Sequence, residues 1–434
     1  MPTPDRPDHR ILDERSITRY VATVPELAAR LGGGPAAWDV REIGDGNVNY
    51  VFAVRGPAGA LCVKQAPPYV RAVGESWPLS PTRSGFEFRA LREHARCAPA
   101  YLPAPLHYAP ELHLLAVEFL EDHCVVRHLL NAGGSRAGFG ADMGDYLART
   151  LFGTSDLALP AADKRRLVGE FEANIEMCRI MEEMIFTEIY RPFHRNRWTS
   201  PELDPDVRRL RSDTALVIAA ARLKNRYLTR REALLHGDLH TGSIMVGPGS
   251  TRVIDQEFAC FGPMGFDIGS LLAHLLVNYL AQDGRHAGGH AGAGTEETPQ
   301  QRRLLETVAE LWHTFVRRFL ELWRTSAHGD AYPATLFPAC ADDEDDVLYA
   351  ERSAYLDRVF RDTVGFCGAE TIRRVVGFAR PVDFTDIEDA GRRADAERRA
   401  LRLGRALLVD TAAHTCVEDI VKTTRRIRDE TQPA

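Results

Sequence analysis

The amino-acid sequence predicts an α+β protein with two unequal parts: a small antiparallel β-sheet unit over residues 1–120 and a large, mainly helical unit over residues 121–434. In the first part, short strand-like segments alternate with turns that contain Gly or Pro, which is typical of antiparallel hairpins. In the second part, apolar residues recur at helical spacing from residue 141 onward.

The first part begins with a segment at 12–32 whose apolar residues fall near helical spacing, and three consecutive glycines end it. Residues 38–64 contain three strand-like segments, WDVREI, VNYVFAVR and ALCVKQ, separated by Gly-containing turns. A loop rich in Pro and Gly follows, and then a helix is predicted at 85–97 and two strands at 105–120. These elements together predict a unit built around an antiparallel sheet.

The helical part contains one strongly periodic segment, at 306–323, whose apolar stripe predicts packing against the core. The stripe consists of Val308, Leu311, Trp312, Phe315, Phe319 and Trp323. Three polar stretches predict exposed segments: a loop at 131–140, a Gly- and His-rich insertion at 281–301 that we expect to be mobile, and an acidic turn at 341–346. For the two His residues of the insertion, a solvated loop is favoured over a metal site.

Composition and charge exclude several classes of function. The chain has 434 residues, 44% hydrophobic and 26% charged, with a formal net charge of -7. This balance argues against non-specific binding to nucleic acid or an anionic membrane, although local Arg residues or backbone amides could still bind a small anion. The longest apolar stretch, at 268–281, is too short to span a bilayer, and the charged N-terminal segment, which has no apolar run, predicts no secretory signal. Eight Cys residues without a C-x-x-C pair predict reduced thiols and a cytoplasmic location.

A Gly-rich hairpin followed by a strand lysine is the first motif with chemical meaning. In EIGDGNVNYVFAV, the turn between two strands could let the backbone approach a phosphate, although any β-hairpin can carry such a turn. Lys64 lies in the next strand, in the apolar context CVKQ, where a charge is costly without an anionic partner. Glu87 in the following helix could be that partner. A hairpin, a strand Lys and a helix Glu follow the same order in protein kinases.

The second motif, LLHGDLHTGSIMV, places Asp238 between two apolar, strand-like runs. A kinase holds its catalytic Asp in such a loop, where the carboxylate accepts a hydrogen bond from the attacking hydroxyl. We expect His236 to hold the loop through backbone hydrogen bonds. Zinc binding by His236 and His240 would need a helix, which Gly237 and Gly242 break.

The third motif, RVIDQEFA, carries Asp255 and Glu257 two positions apart. On a strand, residues i and i+2 point to the same face, so we expect the two carboxylates to lie side by side. Like charges held together need a cation, and a hard divalent ion such as Mg²⁺ is the natural partner for oxygen ligands. Each acid taken singly could equally belong to a structural cluster. The ordered set of three motifs favours a kinase.

Beyond these motifs, the sequence resembles the 5-methylthioribose kinase family, which belongs to the aminoglycoside phosphotransferase and choline kinase-like group. The resemblance extends from about residue 10 to about residue 425. It is carried by GDGNVNYVF, VKQAPPYVRAVGESWPLS, LLHGDLHTGSIMV, VIDQEFACFGPMGFDIGSLLAHLLVNY and ETIRRVVGFARPVDF, and most specifically by VGESWPL and HGDLHTGS. Ser243 stands where related small-molecule kinases have Asn, as it does in methylthioribose kinases, so metal binding would fall to Asp255 and Glu257.

The resemblance implies a two-lobed, protein kinase-like fold, with a cleft between the lobes and with ATP and Mg²⁺ as cofactors. Asp238 would be the catalytic base, and Arg373 and Arg374 would lie near the sugar and the transferring phosphate. Trp77 would lie in a loop near the nucleotide. The remaining nucleotide contacts would be the phosphate-binding Asn49 and Lys64, the adenine-reading hinge residues Glu118, Phe119 and Leu120, and the acids Asp255 and Glu257 with Gln256 between them.

The sequence departs from the family pattern at a few positions. Gln256 stands where Pro is usual between the two acids, Phe119 replaces a usual Asp in the hinge, and Arg380 replaces a common His. The insertion at 281–301 is also longer than is typical. None of these changes removes a catalytic group, and they bear on sugar specificity more than on kinase chemistry.

We therefore predict a homodimeric enzyme that uses ATP to phosphorylate the anomeric hydroxyl of 5-methylthioribose, giving S-methyl-5-thioribose 1-phosphate and ADP in methionine salvage. One alternative is a kinase of another small alcohol, such as an aminoglycoside or choline. Those acceptors are cationic, and twin arginines near the acceptor argue against them. Another alternative is a nucleotide-binding pseudokinase, against which the presence of Lys64, Asp238 and Asp255 argues.

Overall fold

The fold consists of an antiparallel sheet near the N-terminus and a larger helical part, so the predicted fold class is confirmed. A computed structural model describes residues 10–43, 48–285, 296–326, 328–333, 335–337 and 347–430. The boundary between residues 120 and 121 stays a prediction.

In the described residues, the sheet part contains three α-helices, a five-stranded sheet and a short hairpin. Their bounds are α1 Glu14–Thr23, α2 Pro25–Leu31, β1 Asp39–Glu42, β2 Tyr50–Gly56, β3 Gly59–Gln65, β4 Tyr69–Val70, β5 Gly74–Pro78, α3 Arg83–Cys97, β6 Pro105–Ala109 and β7 Leu114–Glu118. The sheet has the order β1-β2-β3-β7-β6, and neighbouring strands are antiparallel. The strands predicted within 38–64 and 105–120 and the helix predicted at 85–97 are therefore confirmed.

Alternation along β3 explains how the sheet positions Lys64. Leu61 and Val63 are fully buried in the core that α1 and α2 form with the sheet, where they pack with Ile17 and Leu27. Successive side chains of a strand point to opposite faces. Lys64 therefore points to the other face, where α3 lies.

The prediction of a single helix at 12–32 is wrong in one respect. The structure has two helices there, α1 and α2, separated at Val24. Pro25 is the first residue of α2. Proline lacks a backbone N–H group and its ring excludes a helical conformation for the residue before it, so α1 ends and a new helix begins. The side chain of Asp13 caps α1 by accepting a hydrogen bond from Ser16 N–H at 2.7 Å.

The helical part surrounds short strands that carry the predicted catalytic loop. Its elements are β8 Cys124–Val125, α4 Val126–Asn131, α5 Phe139–Gly153, α6 Ala161–Phe171, α7 Ile175–Phe186, α8 Asp204–Ser212, α9 Thr214–Thr229, β9 Ala233–Leu234, β10 Ile244–Gly247, β11 Ser250–Val253, β12 Phe261–Gly262, α10 Gly265–Arg285, α11 Pro299–Thr325, α12 Tyr349–Val376, α13 Val382–Thr385, α14 Ala390–Val409 and α15 Val417–Asp429. Helix α10 packs against α12 and α14, and α5 packs against α11.

The apolar stripe predicted on α11 is buried in the main core, so its packing role is confirmed. The insertion predicted at 281–301 is shorter than expected, because α10 continues to Arg285 and α11 begins at Pro299. Its centre, residues 286–295, and the acidic turn at 341–346 lie outside the described residues. Within the described ranges, no helix combines the length and hydropathy that a membrane span requires. Seven cysteines lie in these ranges, and all are free thiols.

Candidate active site

Buried polar contacts hold the loop that carries Asp238, between β9 and β10. Asp267, near the start of α10, accepts hydrogen bonds from the backbone N–H groups of His236 and Gly237 at 2.7 and 3.1 Å. The His236 ring bonds to the carbonyl oxygen of Ile254 at 2.9 Å and accepts the Asp238 N–H at 3.3 Å. The predicted role of His236 in holding the loop is therefore confirmed. The role of Asp267 was not predicted, because a lone acid in the apolar segment GFDIG gives no sign of its partner.

The loop also depends on a glycine and a hydroxyl group. Gly237 has a φ of 87°, and a Cβ atom there would collide with the carbonyl group of Phe258. The hydroxyl of Ser243 bonds to main-chain groups of Asp238 and His240. In this conformation Ser243 therefore stabilises the loop.

The backbone determines the tautomer of His240. Gly242 N–H donates to Nδ1 of this ring at 2.9 Å, so the proton of the neutral ring is on Nε2. That Nε2 atom lies 3.5 Å from Oδ2 of Asp238. Among the described residues, the one group of three possible metal ligands contains neither His236 nor His240.

Both predicted arginines contact Asp238 from the end of α12. Arg374 Nη2 donates to Oδ1 of Asp238 at 3.2 Å, and Arg373 Nη1 lies 3.6 Å from the same oxygen. Burial alone would raise the pKa of Asp238, but His240, Arg373 and Arg374 outweigh it and hold the pKa well below its usual value. The carboxylate is therefore ionised at neutral pH.

Glu370 holds the two arginines from within the same helix. It is 2% exposed and lies three and four residues before them, on one face of α12. Arg373 Nη1 donates to its two oxygens at 3.1 and 3.2 Å, and Arg374 Nε donates at 2.5 Å. Asp238, His240, Glu370, Arg373 and Arg374 form what we call the Asp238 cluster, in which two carboxylates match two guanidinium groups. Sequence reasoning missed Glu370.

A second group of charged residues forms around Lys64, which joins the sheet to α3 and to the segment after β11. Its Nζ atom lies 2.6 Å from Oε1 of Glu87 and 2.5 Å from Oδ1 of Asp255. Burial alone would lower the pKa of Lys64, but the charges of Asp255 and Glu87 raise it above its usual value. The partnership of Lys64 with Glu87 is the one that the sequence predicted.

The predicted strand geometry of Asp255 and Glu257 is wrong. Strand β11 ends at Val253, Asp255 has a left-handed φ of 75°, and the next three residues form a turn of 3₁₀ helix. The two side chains therefore have different surroundings. Asp255 is 45% exposed, whereas Glu257 is 1% exposed. Oε2 of Glu257 accepts a hydrogen bond from Asn49 Nδ2 at 2.9 Å and lies 3.3 Å from Arg83 Nε.

The acids nevertheless converge. One carboxylate oxygen from each of Glu87, Asp255 and Glu257 lies within 4.8 Å of the others. Three carboxylates face two cations, Lys64 and Arg83, so full ionisation of the carboxylates leaves one negative charge in excess. Burial and the charge of Asp255 raise the pKa of Glu257 to about 7. Oxygen donors with excess negative charge suit a hard divalent cation. We call these five residues, with Asn49, the Lys64 cluster.

The remaining predicted nucleotide residues lie along the junction of the two parts. Glu118 is the last residue of β7, and Phe119 and Leu120 follow in the segment that leads to β8. The side chain of Gln256 is buried and donates to the carbonyl oxygen of Val253 at 3.3 Å. Any contact of Gln256 with a nucleotide is therefore left to its main chain.

The segment predicted as a loop after β3 contains the β4–β5 hairpin, which brings Trp77 to the helical part. The Trp77 ring packs edge-on against Phe378 at a centroid distance of 5.4 Å. The guanidinium carbon of Arg195 lies 4.4 Å from the Trp77 ring centroid. Since Phe378 follows the end of α12, the hairpin bridges the sheet part to the element that carries Arg373 and Arg374.

The site has the parts of a two-lobed phosphotransferase. These are a sheet lysine paired with a helix carboxylate, a loop aspartate held by two arginines, and an acidic turn that contacts the lysine.

Residues 39–305 match the sequence profile of the phosphotransferase enzyme family. Methylthioribose kinase 1 of Oryza sativa subsp. japonica is 41% identical, over 92% of this chain and 91% of its own length. The methylthioribose kinase of Escherichia coli O45:K1 is 39% identical, over 91% of this chain and 92% of its own length. That of Pectobacterium atrosepticum is 42% identical, over 89% of this chain and 91% of its own length. The chain belongs to the methylthioribose kinase family, and the predicted resemblance is confirmed.

Proposed function

We propose that the protein transfers the γ-phosphoryl group of ATP to the anomeric hydroxyl of 5-methylthioribose, giving S-methyl-5-thioribose 1-phosphate and ADP in methionine salvage. The observation that carries the proposal is the arginine-braced Asp238, together with the Lys64 cluster, in a chain of the methylthioribose kinase family. The family implies ATP as the phosphate donor.

Asp238 is the proposed catalytic carboxylate. One of its oxygens is engaged by the arginines, while the other faces the Nε2–H of His240 at 3.5 Å, a contact long enough to yield to a substrate hydroxyl. Its low pKa makes it a weak base, so its main contribution is to orient the hydroxyl oxygen toward phosphorus. As the new P–O bond forms and the bond to ADP breaks, the hydroxyl proton passes to Asp238.

The proposed nucleotide contacts are on the sheet side. Lys64 and Asn49 would bind phosphate oxygens, because they offer N–H donors beside the acids of the Lys64 cluster. Glu118, Phe119 and Leu120 would read adenine through backbone groups of the junction, and Gln256 would contribute only main-chain atoms.

Asp255 and Glu257 are the proposed Mg²⁺ ligands, with Glu87 close by. Their oxygen atoms and the excess negative charge of the Lys64 cluster fit a divalent cation. When bound there, Mg²⁺ supplies charge neutralisation on the phosphate oxygens. Among the described ion pairs, Lys64 is the one cation that contacts Asp255 directly.

Arg373 and Arg374 are the proposed acceptor-side residues. Guanidinium groups stabilise the charge that develops on a transferring phosphoryl group. Because Asp238 and Glu370 offset the two guanidinium groups, the cluster has no excess negative charge that would select a cationic acceptor such as choline or an aminoglycoside. The homodimer and the cytoplasmic location are proposals that rest on the family resemblance and on the sequence, respectively.

The test is an assay of the purified protein with ATP, Mg²⁺ and 5-methylthioribose, following ADP release and the sugar phosphate. Ribose, choline and an aminoglycoside serve as competing acceptors, and Asp238→Asn serves as the inactive control. Turnover with 5-methylthioribose that the substitution abolishes supports the proposal. Turnover with a cationic acceptor and not with 5-methylthioribose would replace it with the alternative kinase. Nucleotide binding without turnover of any acceptor would favour a pseudokinase.

A further inference from the structure

Arg83, the first residue of α3, is among the largest fully buried side chains of the described chain, with an exposure of 1%. Taking a guanidinium group out of water is costly unless its N–H donors find acceptors. Arg83 is not part of the three sequence motifs. The reason for its burial must therefore come from the atoms that surround it.

One side of Arg83 binds both ends of the β4–β5 hairpin. Its Nη1 atom donates to the carbonyl oxygens of Pro67 and Ser80, each at 2.9 Å, and lies 3.5 Å from that of Leu79. Pro67 precedes the hairpin and Ser80 follows it. The guanidinium group therefore holds together the two chain segments from which the Trp77 hairpin extends.

The other side of Arg83 binds the Lys64 cluster. Its Nη2 atom donates to Oδ1 of Asn49 at 2.9 Å and to the carbonyl oxygen of Val48 at 3.2 Å, and its Nε atom lies 3.3 Å from Oε2 of Glu257. Asn49 in turn donates through Nδ2 to the same Glu257 oxygen at 2.9 Å. Because the Asn49 amide accepts on one side and donates on the other, its orientation is determined.

We propose that Arg83 is a positioning residue that fixes Asn49 and Glu257 as one unit and couples that unit to the β4–β5 hairpin. Arg83 and Asn49 both contact Oε2 of Glu257, and neither is hydrogen-bonded to its Oε1. Nucleotide and metal binding at Asn49 and Glu257 is thereby linked to the hairpin that carries Trp77. The proposal rests on the nucleotide and metal roles within the proposed function, and it is independent of which sugar is the acceptor.

Lysine cannot replace this side chain. Arg83 reaches four separate chain segments, at 48–49, 67, 79–80 and 257, through a planar fork of donors, whereas lysine offers a single ammonium group on a flexible stem. Arg83→Lys retains the positive charge and removes the fork. A change in this variant therefore reports on geometry and not on charge.

Arg428→Lys is the matched control. Arg428 is also buried, lies on α15, and pairs with Asp283 through Nε at 3.0 Å. Both substitutions remove a buried guanidinium fork that faces a carboxylate, so both lower thermal stability. Only the substitution at Arg83 has a reason to change nucleotide binding.

The experiment measures the affinity for a non-hydrolysable ATP analogue with and without Mg²⁺, in the full-length protein and in both variants. We expect Arg83→Lys to weaken binding in the presence of Mg²⁺ by roughly tenfold or more, as expected for losing hydrogen bonds to a charged group. We also expect the gain in affinity that Mg²⁺ brings to shrink, because Glu257 is no longer held. Arg428→Lys should match the unaltered protein in both quantities, and a folded Arg83→Lys variant that also matches it would overturn the proposal.

Hydrogen–deuterium exchange on the unaltered protein gives a second, independent readout that does not depend on the variant folding. Addition of the analogue with Mg²⁺ should slow exchange of the backbone amides in the β4–β5 hairpin. Unchanged exchange there, with slower exchange at the hinge, would refute the coupling. Neither readout uses the sugar, so a protein that binds nucleotide as described but does not phosphorylate 5-methylthioribose would contradict the proposed function alone.

Discussion

The Lys64 cluster and the Asp238 cluster differ in their balance of positive and negative groups. The Lys64 cluster holds three carboxylates against two cations, and the pKa of Glu257 is raised to about 7. The Asp238 cluster matches two carboxylates with two guanidinium groups, and the pKa of Asp238 is held well below its usual value. The Lys64 cluster has fewer positive than negative groups, so it can bind an incoming cation. The second cluster is neutralised from within and can receive an uncharged hydroxyl.

This difference predicts that the two sides of the site fail differently when they are altered. Changes in the Asp238 cluster should affect turnover and sugar binding while nucleotide affinity persists. Changes in the Lys64 cluster should affect the dependence on Mg²⁺. The substitutions below test this division.

The largest effect is expected for Asp238→Asn. The amide cannot accept the proton of the hydroxyl, so kcat should fall by roughly 10²- to 10⁴-fold. Affinity for ATP with Mg²⁺ should be retained, which isothermal titration calorimetry can measure. If Asp238→Asn lost nucleotide affinity to the same extent as turnover, the two clusters would not have the separate roles proposed for them.

Asp255→Asn should have the next largest effect. It removes a proposed Mg²⁺ ligand and the closest anionic partner of Lys64, so we expect kcat to fall about 10²-fold. The measurement is turnover as a function of Mg²⁺ concentration, in which the variant should need far more Mg²⁺ for half-maximal rate. Asp122→Asn, at a position outside both clusters, is the control, and an unchanged Mg²⁺ requirement in Asp255→Asn would argue against the ligand role.

Glu370→Gln should have a smaller effect on turnover. The change leaves Arg373 and Arg374 without their buried anionic partner, so the free energy of unfolding should fall by about 1–3 kcal/mol and kcat/KM for the sugar by about tenfold. Initial rates at varied sugar concentration and a denaturant titration measure the two effects. Glu418→Gln, at an exposed position, serves as the control. Equal sugar kinetics in Glu370→Gln and the unaltered protein would show that Glu370 serves stability alone.

The smallest effect on turnover is expected at His94, a buried neutral group outside both clusters. Its ring contacts the carbonyl oxygen of Leu234 at 3.1 Å, and burial lowers its pKa to about 4. Between that value and its usual 6.5, the unfolded chain binds more protons than the folded one. The free energy of unfolding should therefore fall by roughly 3 kcal/mol as the pH is lowered through this window.

Denaturant titrations of His94→Gln and of the unaltered protein across that pH range measure this contribution. The variant should lose less stability on acidification, because it has no proton to take up at this position. Parallel pH dependences of the two proteins would contradict the low pKa of His94. Turnover at neutral pH should be similar in both, since His94 touches neither cluster.

Local patterns predicted the elements that carry the site. Alternation and turns located the sheet, helical spacing located the core stripe of α11, and the motif around Asp238 placed that residue between two short strands. In each case the signal lies within a few residues of the feature, because it depends on backbone periodicity. The paired carboxylates illustrate the limit. The prediction of a strand at Asp255 failed since the chain turns there through a left-handed conformation that no local pattern announced.

The contacts that organise the site join residues far apart in the chain. Asn49 and Glu257 are 208 residues apart, and Arg374 and Asp238 are 136 apart. Arg83 lies outside the quoted motifs, and Glu370 is the first residue of ETIRRVVGFARPVDF, where nothing local indicates its partners. Each acquires a role only when the fold brings its partners together. Family resemblance identified Arg373 and Arg374, but it did not identify the buried carboxylate that orients them.

The placement of Glu370, Arg373 and Arg374 on one helix constrains how the chain can change in length. Each residue of an α-helix advances by about 100° around its axis, so one inserted or deleted residue within this four-residue interval would move the arginines to a different face from Glu370. Insertions between α10 and α11, or before α12, leave this angular relation untouched. Length variation among relatives should therefore concentrate in those connections, whereas the last two turns of α12 should keep their residue count.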